Sequence, residues 1–380
     1  MHQSTETEIL LLCARPELDD AAVGRLLGLL QDGPDWHLLF ELANGYRMTP
    51  RLTLWLNRHA QDLLIDEVRS ALHEYHVQST RHNLLLAAEV LRIIDLLAAA
   101  GMDVVSFKGP VSAMLVYGDL ALRACGDIDL LVRQHDHARA EQILESTGYK
   151  VMQHYDVAMQ SSLWHEQRQI SVDLHWGIPP DHLHLRSDLL WEAVEPVELL
   201  GRPVPSFSAR DTLLVTAVNV VKEYWKPSLH QLTDVVVITR DYRDEDWRAA
   251  FSRARDIGYQ RLLVAALLLA RRLLDVPLPA AGPARLFRHK GLNRAVDELA
   301  YHLFLPFDEQ SPAAALKPVH LRHARNYYLA MTDSFRQRVY DWLMWAGAPN
   351  QADEGFVKLP KHLTFLYILI RPLRLLIKRL

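Results

Sequence analysis

Apolar residues recur at helical spacing through the first hundred positions of the chain. In positions 9–42 they return every three or four residues, the spacing typical of amphipathic helices. Gly33-Pro34-Asp35 is a helix-start signal, with Asp35 as the N-cap or an early first-turn acid, and Thr49-Pro50 is another. No Gly or Pro interrupts Asp62 to Ala100, so we expect one long helix or two consecutive ones there. The pattern predicts an N-terminal helical lobe.

At Asp103 the period changes from that of a helix to that of a strand. The short apolar run after it leads into the turn Lys108-Gly109-Pro110, and a helical segment follows. Further strands are predicted at 127–132, 149–159 and 170–175, with a helix at 136–148 that ends at Gly148. This order predicts a small mixed β-sheet in an α+β fold, flanked by helical lobes on both sides.

The second half of the chain is again mainly helical in pattern. A proline-rich loop is predicted after the sheet, then helices from 209 to 274, a stretch broken by Pro and Gly at 275–315, and helices at 320–346. We therefore divide the chain into an N-terminal lobe (1–100), the α/β core (101–206), a C-terminal lobe (207–350) and a basic, apolar tail helix (351–380). The favoured interpretation packs this tail on the helical lobe, and peripheral contact with an anionic membrane is the alternative.

Composition and charge exclude several classes of protein. The 380 residues carry 42 Lys and Arg against 46 Asp and Glu, a formal charge of -4 that argues against an extended nucleic-acid surface. Two cysteines in a chain of this length favour a reducing, cytoplasmic location. The N-terminal segment has no basic run before its apolar stretch, and the longest apolar run, 363–370, is too short to cross a bilayer. We expect neither a signal peptide nor a transmembrane helix.

The segment Asp127-Ile128-Asp129 is the first candidate for chemistry. Side chains alternate along a strand, so both carboxylates lie on one face while Ile128 points into the core. Two like charges this close repel each other unless a hard cation such as Mg²⁺ neutralises them. Taken alone the pair is a weak signal, because solvated acids at an exposed strand end give the same pattern.

The surroundings of the acidic pair strengthen the metal interpretation. Upstream, the Lys108-Gly109 turn enters a helix, where backbone N–H groups and a lysine can approach phosphate oxygens. Downstream, a later strand carries Asp173, a third carboxylate that would complete a two-metal site. His175 shares the strand face of Asp173, and either a role at the metal or the incoming hydroxyl, or a structural hydrogen bond, fits that place.

These residues resemble the DNA-polymerase-β-like nucleotidyltransferase superfamily, and within it the bacterial family of uncharacterised nucleotidyltransferases. The resemblance covers about residues 35–240 and is strongest at 104–176. It rests on Lys108-Gly109, Arg123, Gly126-Asp127-Ile128-Asp129-Leu130-Leu131-Val132 and Asp173-Leu174-His175-Trp176, together with the N-terminal segment DWHLLFELANGYRMTP at 35–50.

The resemblance implies a Mg²⁺-dependent enzyme that moves a nucleoside monophosphate from an NTP such as ATP to an acceptor and releases pyrophosphate. Two Mg²⁺ ions, with Mn²⁺ as a substitute, are expected on the three acids, and the acceptor is expected to be a peptide, a protein or a small biosynthetic intermediate. The implied metal ligands and catalytic residues are Asp127, Asp129 and Asp173. Lys108 and Gly109 are implied to face the triphosphate, and Ser112, Arg123 and Gly126 are further candidate nucleotide-binding residues.

One position departs from the wider superfamily. Pro110 stands where Ser or Gly usually follows the glycine of the turn, and proline has no N–H to donate. Phosphate contacts are therefore expected from Gly109 and Val111 or from the side chains of Lys108 and Ser112.

Several alternatives remain open from the sequence. A metal-dependent glycosyltransferase that binds a nucleotide sugar through Asp127 and Asp129 uses similar chemistry, although the segment before those acids is helical here. An inactive nucleotide-binding scaffold is a second alternative. Several single residues also allow a purely structural interpretation. These are Arg123 as a helix cap, Cys125 as a buried thiol, His182 and His184 as solvated loop residues, and Lys222–Trp225 and Asp234 as core or surface packing.

Overall fold

The computed structural model describes residues 4–155, 159–178, 187–222, 228–303, 326–336, 338–339 and 357. Predictions for His182, His184, residues 223–225 and, apart from Val357, the tail helix fall outside these residues. Among the described helices, none combines the length and the hydrophobicity that a bilayer span requires.

The first three N-terminal helices begin at residues whose side chains cap them. Asp19 accepts a hydrogen bond from the Ala22 N–H at 2.8 Å, and Asp35 accepts one from Leu38 at 3.1 Å, so Asp35 is the N-cap. The uninterrupted segment before the sheet forms a single long helix after a short 3₁₀ turn. The five helices are α1 (Thr5–Cys13), α2 (Asp20–Gln31), α3 (Trp36–Gly45), α4 (Thr49–His59) and α5 (Asp66–Ala99).

A five-stranded mixed sheet follows, in the order β1-β2-β5-β4-β3. Strands β2 and β5 are parallel, and the other neighbouring pairs are antiparallel. The α+β architecture predicted from the sequence is therefore confirmed. Its elements are β1 (Val104–Ser106), α6 (Gly109–Tyr117), β2 (Ile128–Val132), α7 (His137–Ser146), β3 (Lys150–Tyr155), β4 (Gln160–His165) and β5 (Ile170–His175).

The parallel pair β2–β5 determines where the acids lie. Ile128 stands opposite Val172, and both are fully buried in the core of the sheet. Because side chains alternate along each strand, the next pair in register, Asp129 and Asp173, lies on the other face. The burial of Ile128 and Val172 on one face thus directs both carboxylates to the other face of the sheet.

Two parts of the sheet region differ from the sequence prediction. Strand β4 was not predicted at all. The proline-rich segment predicted as a loop contains a hairpin of β6 (Val194–Leu199) and β7 (Arg202–Phe207), in which Pro196 and Pro205 face each other. Each strand of a two-stranded ribbon has one edge without ladder hydrogen bonds, so proline is tolerated there.

The C-terminal helices are α8 (Ala209–Val221), α9 (Leu229–Ile238), α10 (Asp244–Ile257), α11 (Gln260–Leu274), α12 (Ala284–Phe287) and α13 (Lys290–Leu303). The stretch predicted as broken thus contains a helix of 14 residues, α13, which corrects the prediction. It forms because Leu292, Val296 and Leu299 make a stripe that is buried in the helical core.

Helices from both ends of the chain share one buried apolar cluster, and the sheet with α5 and α6 forms a second. A polar connection joins the two regions. Arg123, which follows α6, donates from Nε to Asp234 Oδ2 of α9 at 2.9 Å, and both side chains are buried. Tyr117 donates to the other oxygen of Asp234 at 2.7 Å. Asn83 of α5 donates to the backbone oxygen of Arg123 at 2.8 Å, which fixes this segment from the other side.

We expect Asp234→Ala to lower the free energy of unfolding by about 3–5 kcal/mol, because it leaves the Arg123 guanidinium buried without its partner. Asp95→Ala is the matched control, since its ion pair with Arg202 is half exposed and exposed pairs contribute about 0–1 kcal/mol. Urea denaturation followed by circular dichroism measures both. Equal losses in the two variants would contradict the structural importance of the buried pair.

Candidate functional site

The three predicted acids line one cavity of about 420 Å³ beside the parallel strands β2 and β5. Asp129 and Asp173 are direct neighbours on the parallel strands β2 and β5, and Asp127 precedes β2 by one residue. A ligand atom from each of Asp129, Asp173 and His175 lies within 4.8 Å of the others. Asp127 lines the same cavity outside this closest group.

Asp129 is the most buried of the three acids, with 3% of its surface exposed. Lys108 Nζ donates to its Oδ1 at 2.5 Å, and His175 Nε2 donates to the same oxygen at 3.1 Å. Burial opposes the negative charge, but the lysine charge and the histidine hydrogen bond outweigh it and hold the pKa of Asp129 below its usual range. Asp129 is therefore a carboxylate at neutral pH.

The pKa of Asp127 shifts in the opposite direction to that of Asp129. The charge of Asp129, with burial as the second cause, raises the pKa of Asp127 to about 6, although Lys108 acts against the shift. Two neighbouring carboxylates in a partly enclosed cavity thus resist simultaneous ionisation. A divalent cation would remove that resistance, so the electrostatics of the pair favour one.

Both oxygens of Asp173 are held by side chains of the neighbouring strand β4. Ser162, directly opposite in the antiparallel register, donates to Oδ1 at 2.5 Å, and Gln160 donates to Oδ2 at 2.7 Å. These two hydrogen bonds fix the orientation of the carboxylate relative to Asp129. Neither Ser162 nor Gln160 was predicted as a site residue, because β4 itself was missed.

The Lys108-Gly109 turn lies against the acids at the start of α6. Gly109 has a φ of +56°, and a Cβ there would lie 2.9 Å from the backbone oxygen of Asp127. Only glycine combines this left-handed conformation with so close an approach of two backbone segments. Pro110 occupies the first turn of α6, where its missing N–H leaves no intrahelical hydrogen bond unmade.

Basic and polar side chains from the helical regions also line the cavity. Arg47, which follows α3, packs against Gly126, where a Cβ would lie 3.3 Å from its Nη2. His230 of α9 also lines the cavity, and burial together with the charges of Arg123 and Arg47 lowers its pKa far below the usual range. The remaining lining residues are Tyr155, Lys222 and Gln231.

Three of the five predicted nucleotide-binding residues line the cavity, and two do not. Lys108, Gly109 and Arg123 line the cavity, while the Nε of Arg123 is engaged by Asp234. The hydroxyl of Ser112 donates to the backbone oxygen of Phe107 at 3.2 Å, and Ser112 and Gly126 are not lining residues. Cys125 is half-buried, and desolvation raises the pKa of its thiol to about 11.

Sequence reasoning missed several residues that line this cavity. They are Arg47, Tyr155, Gln160, Ser162, His230 and Gln231. The alternation of β4, in which Ser161 and Leu163 are buried between Gln160, Ser162 and Trp164, was a usable period-two signal. Arg47 and His230 had no local signal, because they reach the cavity through the packing of helices distant in sequence.

The donor set fits a hard divalent cation. Carboxylates from Asp129 and Asp173 supply two hard oxygen ligand groups, and Asp127 adds a further carboxylate to the cavity. The Nδ1 of His175 is buried with no hydrogen-bond partner among the described residues. Its Nε2 already donates to Asp129, so His175 as placed supports the carboxylate rather than a cation.

A family model described as "Uncharacterised nucleotidyltransferase" matches residues 32–275. No curated protein matches the chain. Two solved structures are similar. The antibiotic-resistance factor ANT(2'')-Ia is 18% identical with a TM-score of 0.35, covering 47% of this chain and 93% of its own. An antigenic nucleotidyltransferase-like protein from Paracoccidioides brasiliensis is 14% identical with a TM-score of 0.35, covering 55% and 96%.

We expect Gly109→Ala to destabilise the protein more than Gly118→Ala. Both positions are left-handed, and this conformation costs a non-glycine residue about 1–2 kcal/mol. Nothing lies within 4 Å of a Cβ at Gly118, whereas a Cβ at Gly109 meets the Asp127 carbonyl at 2.9 Å. Thermal and urea unfolding of the two variants measure the difference, and equal losses would show that the close approach is not a constraint.

Proposed function

The chain belongs to the family of uncharacterised nucleotidyltransferases, and we propose that it transfers a nucleoside monophosphate from an NTP, with ATP as the first candidate, to an acceptor and releases pyrophosphate. The observation that carries the proposal is the register of Asp129 against Asp173 on parallel strands, with Lys108 2.5 Å from Asp129 in a polar cavity. The proposed acceptor is a peptide, a protein or a small biosynthetic intermediate.

We assign the cation-binding role to Asp127, Asp129 and Asp173. Two Mg²⁺ ions, or Mn²⁺ in their place, would supply charge neutralisation for the triphosphate and lower the pKa of the attacking group. The acids contribute ligands whose geometry is fixed before the substrate arrives. Ser162 and Gln160 hold Asp173, while His175 holds Asp129, so little reorganisation is required on binding.

The neighbouring residues bind and orient the nucleotide. Lys108 contributes a mobile positive charge that can leave Asp129 for a phosphate oxygen, and Gly109 permits backbone approach to the phosphates at the start of α6. Ser112 stabilises this turn through its hydrogen bond to the Phe107 carbonyl, and Gly126 leaves room for the side chain of Arg47 before β2. Arg123 lines the cavity, and Asp234 accepts the hydrogen bond of its Nε. We propose that this bond orients the guanidinium so that its amino groups can bind the nucleotide.

The acceptor is proposed to approach Asp173 along β4. Asp173 orients the nucleophilic group for in-line attack at the α-phosphorus, and the leaving pyrophosphate lies toward Lys108 and the basic side of the cavity. Arg47 and Lys222 are proposed to bind the triphosphate on that side, because both line the cavity from the helical regions.

We expect Asp127→Asn and Asp129→Asn each to lower kcat by at least about a hundredfold, since each removes a proposed cation ligand. Pyrophosphate release from a mixture of NTPs measures turnover, and mass spectrometry of acceptor pools identifies the nucleotide added. Asp103→Asn is the control, because this acid is exposed and forms a surface ion pair with Arg133. Full turnover in either site variant would overturn the proposal. Release of nucleoside diphosphate from nucleotide sugars would favour the glycosyltransferase alternative.

We expect Ser162→Ala to raise the Mg²⁺ concentration needed for half-maximal activity by about 10- to 100-fold, the usual effect of losing a partner of a metal ligand. Ser162→Thr keeps the hydroxyl and should restore the metal response. Ser171→Ala is the matched control, since Ser171 bonds the backbone oxygen of Leu163 rather than an acid. A Mg²⁺ titration in which Ser162→Ala and Ser171→Ala behave alike would contradict this positioning role.

A further inference from the structure

A second polar cavity of about 420 Å³ lies where the α1–α2 connection, α4, the end of α6 and the end of α9 meet. It shares no lining residue with the cavity that contains the acids. Three arginines line it: Arg51, Arg58 and Arg240. Glu17 is the single acid among the described residues that line it. The cavity is therefore electropositive, although the chain as a whole carries a net negative charge.

Arg51 is 5% exposed and forms the floor of this cavity. Its Nε donates to the Cys13 carbonyl at 3.3 Å and its Nη2 to the Arg15 carbonyl at 2.6 Å. These acceptors are neutral, and the guanidinium also lies against the rings of Trp55 and Tyr117, 5.3 Å and 5.9 Å from their centres. Arg51 forms no ion pair within the described part of the chain. A buried cation without a counter-charge is costly, so the geometry leaves a place for an anion.

Asp234, the acid whose charge acts on Arg51, does not serve as its hydrogen-bonded counter-charge. Asp234 attracts the Arg51 charge, yet its two oxygens accept hydrogen bonds from Tyr117 and Arg123. Burial lowers the pKa of Arg51, and the positive charge of Arg240 adds to that shift. The guanidinium is thus held in an environment that disfavours its own charge, which an oxyanion would relieve.

Arg58 and Arg240 stand at the exposed rim of the cavity. Arg58 lies 5.7 Å from the centre of the Trp55 ring and forms no ion pair with any described residue. Arg240 contacts Asp241 at 3.0 Å, an exposed pair that is exchanged at little cost. Apolar side chains complete the walls: Leu18, Leu54, Leu122 and Val237.

We propose that this second cavity binds a phosphate-bearing ligand, whose oxyanion is held by Arg51, Arg58 and Arg240. A phosphate monoester carries nearly two negative charges and three acceptor oxygens, so it can engage three guanidinium groups at once. A carboxylate has one charge and two oxygens and would satisfy fewer of them. The volume also exceeds that of a bare ion and lies within the range of small-molecule sites, about 300–1,000 Å³, which together with the apolar walls leaves room for an organic group.

Arginine labelling with phenylglyoxal, read residue by residue by peptide mass spectrometry, tests the proposal on the full chain. With millimolar pyrophosphate and no divalent cation, labelling of Arg58 and Arg240 should slow at least about threefold, as expected when two thirds of the sites are filled. Arg248 is the internal control, because it is exposed and lines neither cavity. Labelling of Arg47 reports separately on the cavity with the acids.

Protection of Arg47 alone, or unchanged labelling of Arg58 and Arg240, would overturn the second site. Citrate at matched ionic strength is the carboxylate arm, and protection equal to that by pyrophosphate would overturn the phosphate assignment. The double variant Arg58→Ala and Arg240→Ala changes only exposed residues and should lose one of the calorimetric pyrophosphate-binding events. The Arg248→Ala variant should keep it. None of these measurements depends on nucleotidyl transfer, so the outcome is independent of the proposed reaction.

Discussion

The placement of two carboxylates side by side on parallel strands is the constraint on which the rest of the site depends. Asp129 and Asp173 stand in register on β2 and β5, in a partly buried position where like charges repel strongly. Four neighbouring side chains compensate for this repulsion. Lys108 and His175 donate to Asp129, while Ser162 and Gln160 donate to Asp173. These four hydrogen bonds hold the two carboxylates in position before any cation binds.

The cavity around these acids is completed by helices from both ends of the chain. Arg47 reaches it from the segment after α3, and His230 reaches it from α9. These helices share one apolar core, which sets their position against the sheet. The buried connection from Arg123 to Asp234 and Tyr117 then fixes the cavity wall on the side of α9. A small sheet could not enclose a nucleotide-sized cavity alone, so the helical regions are part of the site.

The distribution of charge explains why overall composition says little about ligands here. A formal charge of -4 excludes a broad basic surface, yet basic side chains converge locally. In one cavity they face three carboxylates. In the other, three arginines face a single glutamate, and Arg51 is buried without an ion pair among the described residues. Local arrangement of charge, rather than its sum, determines which anions such a protein can bind.

The sequence by itself determined the elements with strong period and clear ends. It predicted the α+β class, a helix start with Asp35 as N-cap or first-turn acid, the strand of residues 170–175 and the acidic pair, because alternation and capping are properties of neighbouring residues. It missed the β6–β7 hairpin because prolines oppose a strand assignment that tertiary pairing allows. It also missed β4, although the alternation of that strand was a usable signal. Only the tertiary structure decided that Ser162 and Gln160 hold Asp173, that Asp234 holds Arg123, and that Arg47 faces the acids. These contacts join residues far apart in the chain, and their formation depends on strand register and helix packing that no local pattern encodes.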